Sequence, residues 1–124
     1  MYEIRVEAEF CAAHALTVGG VRETVHGHNW RVVAGIRGEE LDSDGLLCDF
    51  HTVEQKLLEL IAPLDSADLN ACEAFRGTNP TAERVAEYLG RSLGGALDKP
   101  LAPYARVAWV RVTEAPGCRA TWRA

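Results

Sequence analysis

The sequence predicts an α+β fold: a four-stranded antiparallel sheet with two helices on one face, in the order β-β-α-α-β-β. Three observations carry this. Apolar and charged residues alternate over 2–14 and again over 28–37, the two-residue period of half-buried strands. From about residue 51 the spacing becomes helical, in two segments separated by turn residues. Two further extended runs, 105–114 and 119–123, close the chain.

In the first strand Tyr2, Ile4, Val6, Ala8, Phe10 and Ala12 share one face, and Glu3, Arg5, Glu7 and Glu9 share the other. The second sets Trp30, Val32, Ala34 and Ile36 against Arg31 and Arg37. The run "DSDG" at 42–45 reads as a turn and "LLCDF" at 46–50 as a short extended segment. A helix from about His51 gathers Val53, Leu57, Leu60, Ile61 and Leu64 and is ended by Pro63 and the "DSAD" stretch. The second helix opens at "NPTAE", with Asn79 as cap, Pro80 in the first turn and Glu83 near the positive end of the helix dipole. Val85, Leu89, Leu93 and Leu97 form its seam. Gly90, Gly94 and Gly95 weaken it, so its last turns are expected to fray. The final two strands form a hairpin around Pro116-Gly117.

A chain of 124 residues suits one domain, 1–124, with a real core but no room for two. The net charge of -5 argues against nucleic acid or an anionic membrane as the main partner and leaves a small molecule as the expected one. The charged positions within "MYEIRVEAEF" exclude a signal peptide or a membrane span there, so the cytoplasm is the expected location. Cys11, Cys48, Cys72 and Cys118 lie far apart with no C-x-x-C pair, which fits free thiols in a reducing compartment.

The stretch "VHGHNW" at 25–30 poses the chemical question. His26 and His28 are two apart, so on a strand they point the same way. His14 has the parity of Phe10 and Ala12 and ends the apolar face of the first strand. If the first two strands pair antiparallel, all three imidazoles meet at one end of the sheet. Three neutral histidines with an open fourth position make a catalytic zinc site. An H-x-H pair also fits two packed or solvated histidines, and spacing alone leaves both readings open. His51, at a helix start, reads as a surface residue.

Taken together, "FCAAH", "HGHNW", "GLLCDF", "LDSADLN", "NPTAE" and "VRVTEAPG" resemble, in order, the motifs of the 6-pyruvoyltetrahydropterin and 6-carboxytetrahydropterin synthase group, over nearly the whole chain. The resemblance implies a tunnelling fold, in which subunits close into a ring-shaped barrel and two rings stack, here as a homohexamer of two trimers. It implies zinc on His14, His26 and His28, and a pterin substrate bound at subunit boundaries. It also implies that Glu114 anchors the pterin and that Thr81 helps to hold the ring. The local pattern suits Glu114, which follows Ala108, Val110 and Val112 in parity. A carboxylate at the end of that row can accept hydrogen bonds from the 2-amino and ring N–H edge of a pterin.

Two positions depart from the group. Typical members carry a cysteine four residues before the H-G-H motif, where this chain has Arg22. They also carry Asp-His at the end of the first helix, where this chain has Asp65-Ser66. Cys11 has the wrong parity to replace the cysteine. Asp65 is retained as a catalytic candidate, and Glu23, three residues before His26, is the candidate general base. The plainer reading of Glu23 is a solvated loop carboxylate. The expected activity is a zinc-dependent lyase acting on the side chain of 7,8-dihydroneopterin triphosphate. Its product is 6-carboxytetrahydropterin, a queuosine precursor, or an aldehyde-type product feeding folate. The alternatives are a non-catalytic pterin- or purine-binding oligomer that keeps zinc, and a zinc hydrolase with an unrelated substrate.

Overall fold

The computed structural model describes residues 1–124. Its elements are β1 (Tyr2–His14), β2 (Thr17–Val18), β3 (Val21–Arg22), β4 (His26–Gly38), α1 (Phe50–Ile61), β5 (Ala67–Asp68), α2 (Ala82–Leu101), β6 (Arg106–Ala115) and β7 (Cys118–Arg123). Single 3-10 turns at Leu69–Ala71 and Glu73–Phe75 lead from β5 towards α2. The main sheet runs β5-β1-β4-β6-β7, while β2 and β3 pair separately.

The four long strands are antiparallel neighbours, as the alternation predicts. The strand count differs from expectation. A fifth strand, β5, lies parallel to β1 along Ala12 and Ala13, and β2 and β3 form a small hairpin between β1 and β4. Each of these pieces has two residues, too few to show a period. Strand β4 begins two residues earlier than expected, so the whole H-G-H motif is extended backbone. Residues 46–49 form no strand; Asp49 caps α1 by accepting from the His51 N–H at 2.8 Å.

Both helices cover one face of the sheet. Val6, Phe10 and Ala12 of β1, Trp30, Val32 and Ala34 of β4, and Val110 and Val112 of β6 form the sheet side of the core. Val53, Leu57 and Ile61 of α1 and Val85, Leu89, Leu93 and Leu97 of α2 form the other side. A bulge at Gly35/Ile36 makes Ala108 an extra residue in β6, so Val107 and not Ala108 lines up with Ile36 in the core.

The cap of α2 also differs from expectation. Thr81, not Asn79, is the N-cap, and its hydroxyl accepts from the Arg84 N–H at 3.1 Å. Asn79 is engaged elsewhere: its side chain accepts from Thr17 N–H at 2.9 Å and donates to Thr17 C=O at 2.7 Å. Nor does the helix end fray, since α2 runs unbroken to Leu101. Gly90 is there for packing, because a Cβ at that position would lie 2.0 Å from the Trp122 ring. Asp98 ties the last turns to β6 by accepting from Val107 N–H at 2.8 Å.

The opposite sheet face is polar, with one large exception. Trp109 lies over Gly35 and donates its indole N–H to Glu3 at 3.1 Å, with Arg5 and Arg111 each over its ring. Glu3 also accepts from Arg37, and this bond first, helped by Trp109 and Arg5, lowers its pKa from the usual 4.5 to about 2 against the opposing effect of burial. No helix is long and apolar enough to cross a membrane.

Candidate metal centre

Strand pairing alone assembles the centre. In the β1–β4 register His14 faces His26, and Ala12 faces His28. The three imidazoles share the face that parity predicts and stand edge-on to one another, with centroids 4.7, 4.8 and 5.2 Å apart. One ligand atom from each histidine and one from Glu114 lie within 4.8 Å of each other.

The ring nitrogens are sorted by their partners. His14 Nδ1 lies 2.9 Å from the Pro80 carbonyl and His26 Nδ1 lies 2.9 Å from that of Thr24. A carbonyl can only accept, so both Nδ1 atoms carry a proton, and in the neutral form of either ring Nε2 is the free lone pair turned towards the cluster. The Nε2 atoms of His14 and His28 are buried without a hydrogen-bond partner. Leaving such a group unpaired costs about 1–3 kcal/mol. Burial lowers the His28 pKa below the usual histidine range, and His14 and His26 add to this against the pull of Glu114. The neutral form is the one a metal ion needs. The donor set therefore fits a metal ion, and nitrogen donors with one carboxylate suit zinc among other divalent ions.

The surrounding residues lock this geometry. Trp30 is fully buried, donates to the Ala12 carbonyl at 3.1 Å and stands edge-on to His14 and His28. Beyond His14 two asparagine amides act as substitute strand partners. Asn70 exchanges two bonds with the Ala15 backbone, both 2.8 Å, as Asn79 does with Thr17. The 79–81 segment thus does three jobs: Asn79 holds the chain after His14, Pro80 orients the His14 ring, and Thr81 caps α2. Sequence reasoning passed over Asn70 in "LDSADLN" and gave Asn79 in "NPTAE" the role of helix cap, so neither was foreseen as a strand partner.

The other candidates divide into near and far. Glu114 Oε1 lies 2.9 Å from His28 Nε2 and 3.3 Å from His14 Nε2. Glu23 Oε1 is 3.8 Å from His26 Nε2 and accepts from the Leu16 N–H at 2.9 Å, while the Glu23 N–H donates to Leu16. Thr81 lies one residue beyond the carbonyl that orients His14. Asp65 is apart from the cluster within this chain: it is exposed and accepts from the Cys11 N–H at 3.0 Å. Ser66 follows it with a left-handed φ of 58°. Arg22 is exposed on β3 and His51 is exposed on α1. All four cysteines are free, and Cys11 points away from the histidines to donate to Asn29.

The fold is shared with known proteins. The chain superposes on the 6-pyruvoyl tetrahydropterin synthase of Caenorhabditis elegans with a TM-score of 0.85 at 22% identity, covering 99% of this chain and 95% of that one. A Plasmodium vivax 6-pyruvoyltetrahydropterin synthase, mutated from glutamate to alanine at a catalytic residue, matches with a TM-score of 0.82 at 24% identity over 99% and 97% of the chains. An uncharacterized protein from Wolinella succinogenes gives a TM-score of 0.80 at 19% identity, over 98% and 97%. At these identities the likeness establishes the tunnelling fold. No curated protein sequence matches the chain significantly. A profile of the 6-pyruvoyl tetrahydropterin synthase family matches residues 3–124, and the chain belongs to that family.

Proposed function

We propose that the protein is a zinc-dependent lyase acting on the side chain of 7,8-dihydroneopterin triphosphate. The expected product is 6-carboxytetrahydropterin, as for queuosine precursor synthesis in the cytoplasm. The observation that carries this reading is the set of three histidines with inward Nε2 atoms, two of them buried and unpaired. Zinc held there would draw electron density from the side-chain oxygens and make their protons easier to remove.

The residues of this chain supply the rest. Glu114, near the end of β6, can accept the 2-amino and ring N–H groups of a pterin, and Thr81, at the α2 cap, is the second residue we assign to the ring. Glu23, held by Leu16 beside His26, is the carboxylate we assign to take a proton from the substrate side chain. A catalytic glutamate is named in the Plasmodium vivax synthase, which makes a carboxylate base reasonable here. Asp65 is not among the clustered ligand atoms but is bonded to Cys11 on β1, and we assign its role to a centre completed by a neighbouring subunit, in a hexamer of two stacked trimers.

One observation favours a second reading. Arg22 and Ser66 stand where related enzymes carry an acid-base cysteine and histidine, and a pterin-binding oligomer that keeps zinc without turnover would tolerate both. Incubating the zinc-loaded protein with 7,8-dihydroneopterin triphosphate separates the two. Side-chain cleavage is expected; tight pterin binding without cleavage would replace the lyase by the binding protein. In the same titration Glu114→Gln is expected to weaken pterin binding by about 2–4 kcal/mol, because a charged acceptor is lost from a partly desolvated site. Equal binding by both proteins would remove Glu114 from the pterin site.

A further inference from the structure

Glu114 does not stand back from the histidines as a residue reserved for a pterin would. Its Oε1 approaches His28 Nε2 to 2.9 Å and His14 Nε2 to 3.3 Å, and neither approach has hydrogen-bond geometry. With the His14 proton on Nδ1, its Nε2 lone pair faces a carboxylate oxygen across that gap. Such an approach calls for positive charge between the atoms, and the buried Nε2 atoms make no hydrogen bond that would supply it as a proton.

The spacing fits a single metal ion, such as zinc, held between these atoms. Four ligands about 2.0–2.1 Å from a tetrahedral zinc lie about 3.3–3.4 Å from one another along the edges of the tetrahedron. The Glu114–His14 separation of 3.3 Å falls on this edge length, and that to His28, at 2.9 Å, is a few tenths shorter. Strand register explains why Glu114 can reach. Thr113 pairs with Arg31, so the next residue of β6 is carried on towards His28.

We infer that Glu114 is a fourth metal ligand in the substrate-free protein, closing the coordination that three histidines alone would leave open. This rests on the metal centre proposed above. It gives Glu114 two competing partners, the metal ion and the N–H edge of a pterin. When a pterin docks, its donors draw the carboxylate away and the fourth position becomes available to the substrate's side-chain oxygens. The centre is opened by the molecule it acts on. Linkage then requires antagonism: a pterin lacking side-chain oxygens, which occupies Glu114 without replacing it on the metal, must weaken metal binding.

The test uses cobalt as a visible probe in the full-length protein. Wild type is expected to bind cobalt with the intense absorption of a four-coordinate site. Glu114→Gln, which keeps the side-chain shape, is expected to bind it at least about tenfold more weakly in competition with a chelator, with a changed spectrum. Unsubstituted pterin should weaken cobalt binding to wild type and leave that of Glu114→Gln unaltered. If Glu114→Gln fails to fold, Glu114→Asp, whose carboxylate cannot reach as far, serves in its place. Equal cobalt affinity and identical spectra in wild type and variant would overturn this inference and leave the metal centre standing. A wild type that binds no cobalt would overturn both.

Discussion

Replacing Glu23 by glutamine separates chemistry from architecture at one position. The carboxylate does two things: it accepts from the Leu16 N–H at 2.9 Å and lies 3.8 Å from His26 Nε2. Glutamine keeps an oxygen for Leu16 and the same length and shape, but it cannot take up a proton at neutral pH. Loss of a positioned general base slows turnover by about 10²–10⁴-fold, so Glu23→Gln is expected to lose at least about a hundredfold, or about 2.7 kcal/mol of barrier. Glu23→Ala removes the Leu16 bond as well, a further loss of about 0.5–1.5 kcal/mol of loop stability. The rates of both variants on 7,8-dihydroneopterin triphosphate, with zinc loaded, should fall together, while pterin affinity measured by fluorescence stays near that of wild type. An active wild type alongside a Glu23→Gln variant of full rate would refute the base. A loss confined to Glu23→Ala would make Glu23 an anchor for the Leu16 loop and nothing more.

Three further outcomes are expected. His26→Ala should lose most of its zinc, and stoichiometric zinc remaining after dialysis would remove His26 from the centre. Light scattering at micromolar concentration should give a hexamer, since β1 outside its short pairing with β5, and the outer edge of β7, are open to pairing with other copies; a monomer would contradict it. The last outcome concerns acid. The folded-state pKa of Glu3 is lowered from 4.5 to about 2, so its contribution is fully present above about pH 5 and is lost as pH falls towards 2. The whole shift corresponds to about 3 kcal/mol, and with the side chain 21% exposed we expect about 2. Denaturant melts should show Glu3→Gln less stable by that amount at pH 7 and level with wild type near pH 2; a gap that does not close would assign the effect to something other than charge.

The centre was more legible in the sequence than the loops that support it. Parity put His14, His26 and His28 on one face, and antiparallel pairing of two long strands brought them together, because a thirteen-residue ladder leaves little freedom of register. Glu114 could be placed at a strand end by the same rule, but its approach to the histidines depends on side-chain geometry that no period encodes. Asn79 shows another limit. Asn-Pro-Thr offers two good caps in three residues, and local preference cannot say which is chosen. The choice was made by Thr17, sixty-two residues away, whose backbone needed both halves of an amide. Strand β5 and the β2–β3 hairpin were illegible for a simpler reason: two residues cannot display a repeat of two.

Gly35 beneath Trp109 and Gly90 beneath Trp122 have a consequence for descent. A β-carbon at either glycine would fall 2.0–2.1 Å from indole atoms, so neither glycine can change while its tryptophan remains. Nor can either tryptophan shrink without exposing the hollow that the glycine made for it. Each pair is inherited as a unit. Among descendants of this chain, a side chain at position 35 should appear only together with a smaller residue at 109, and likewise for 90 and 122.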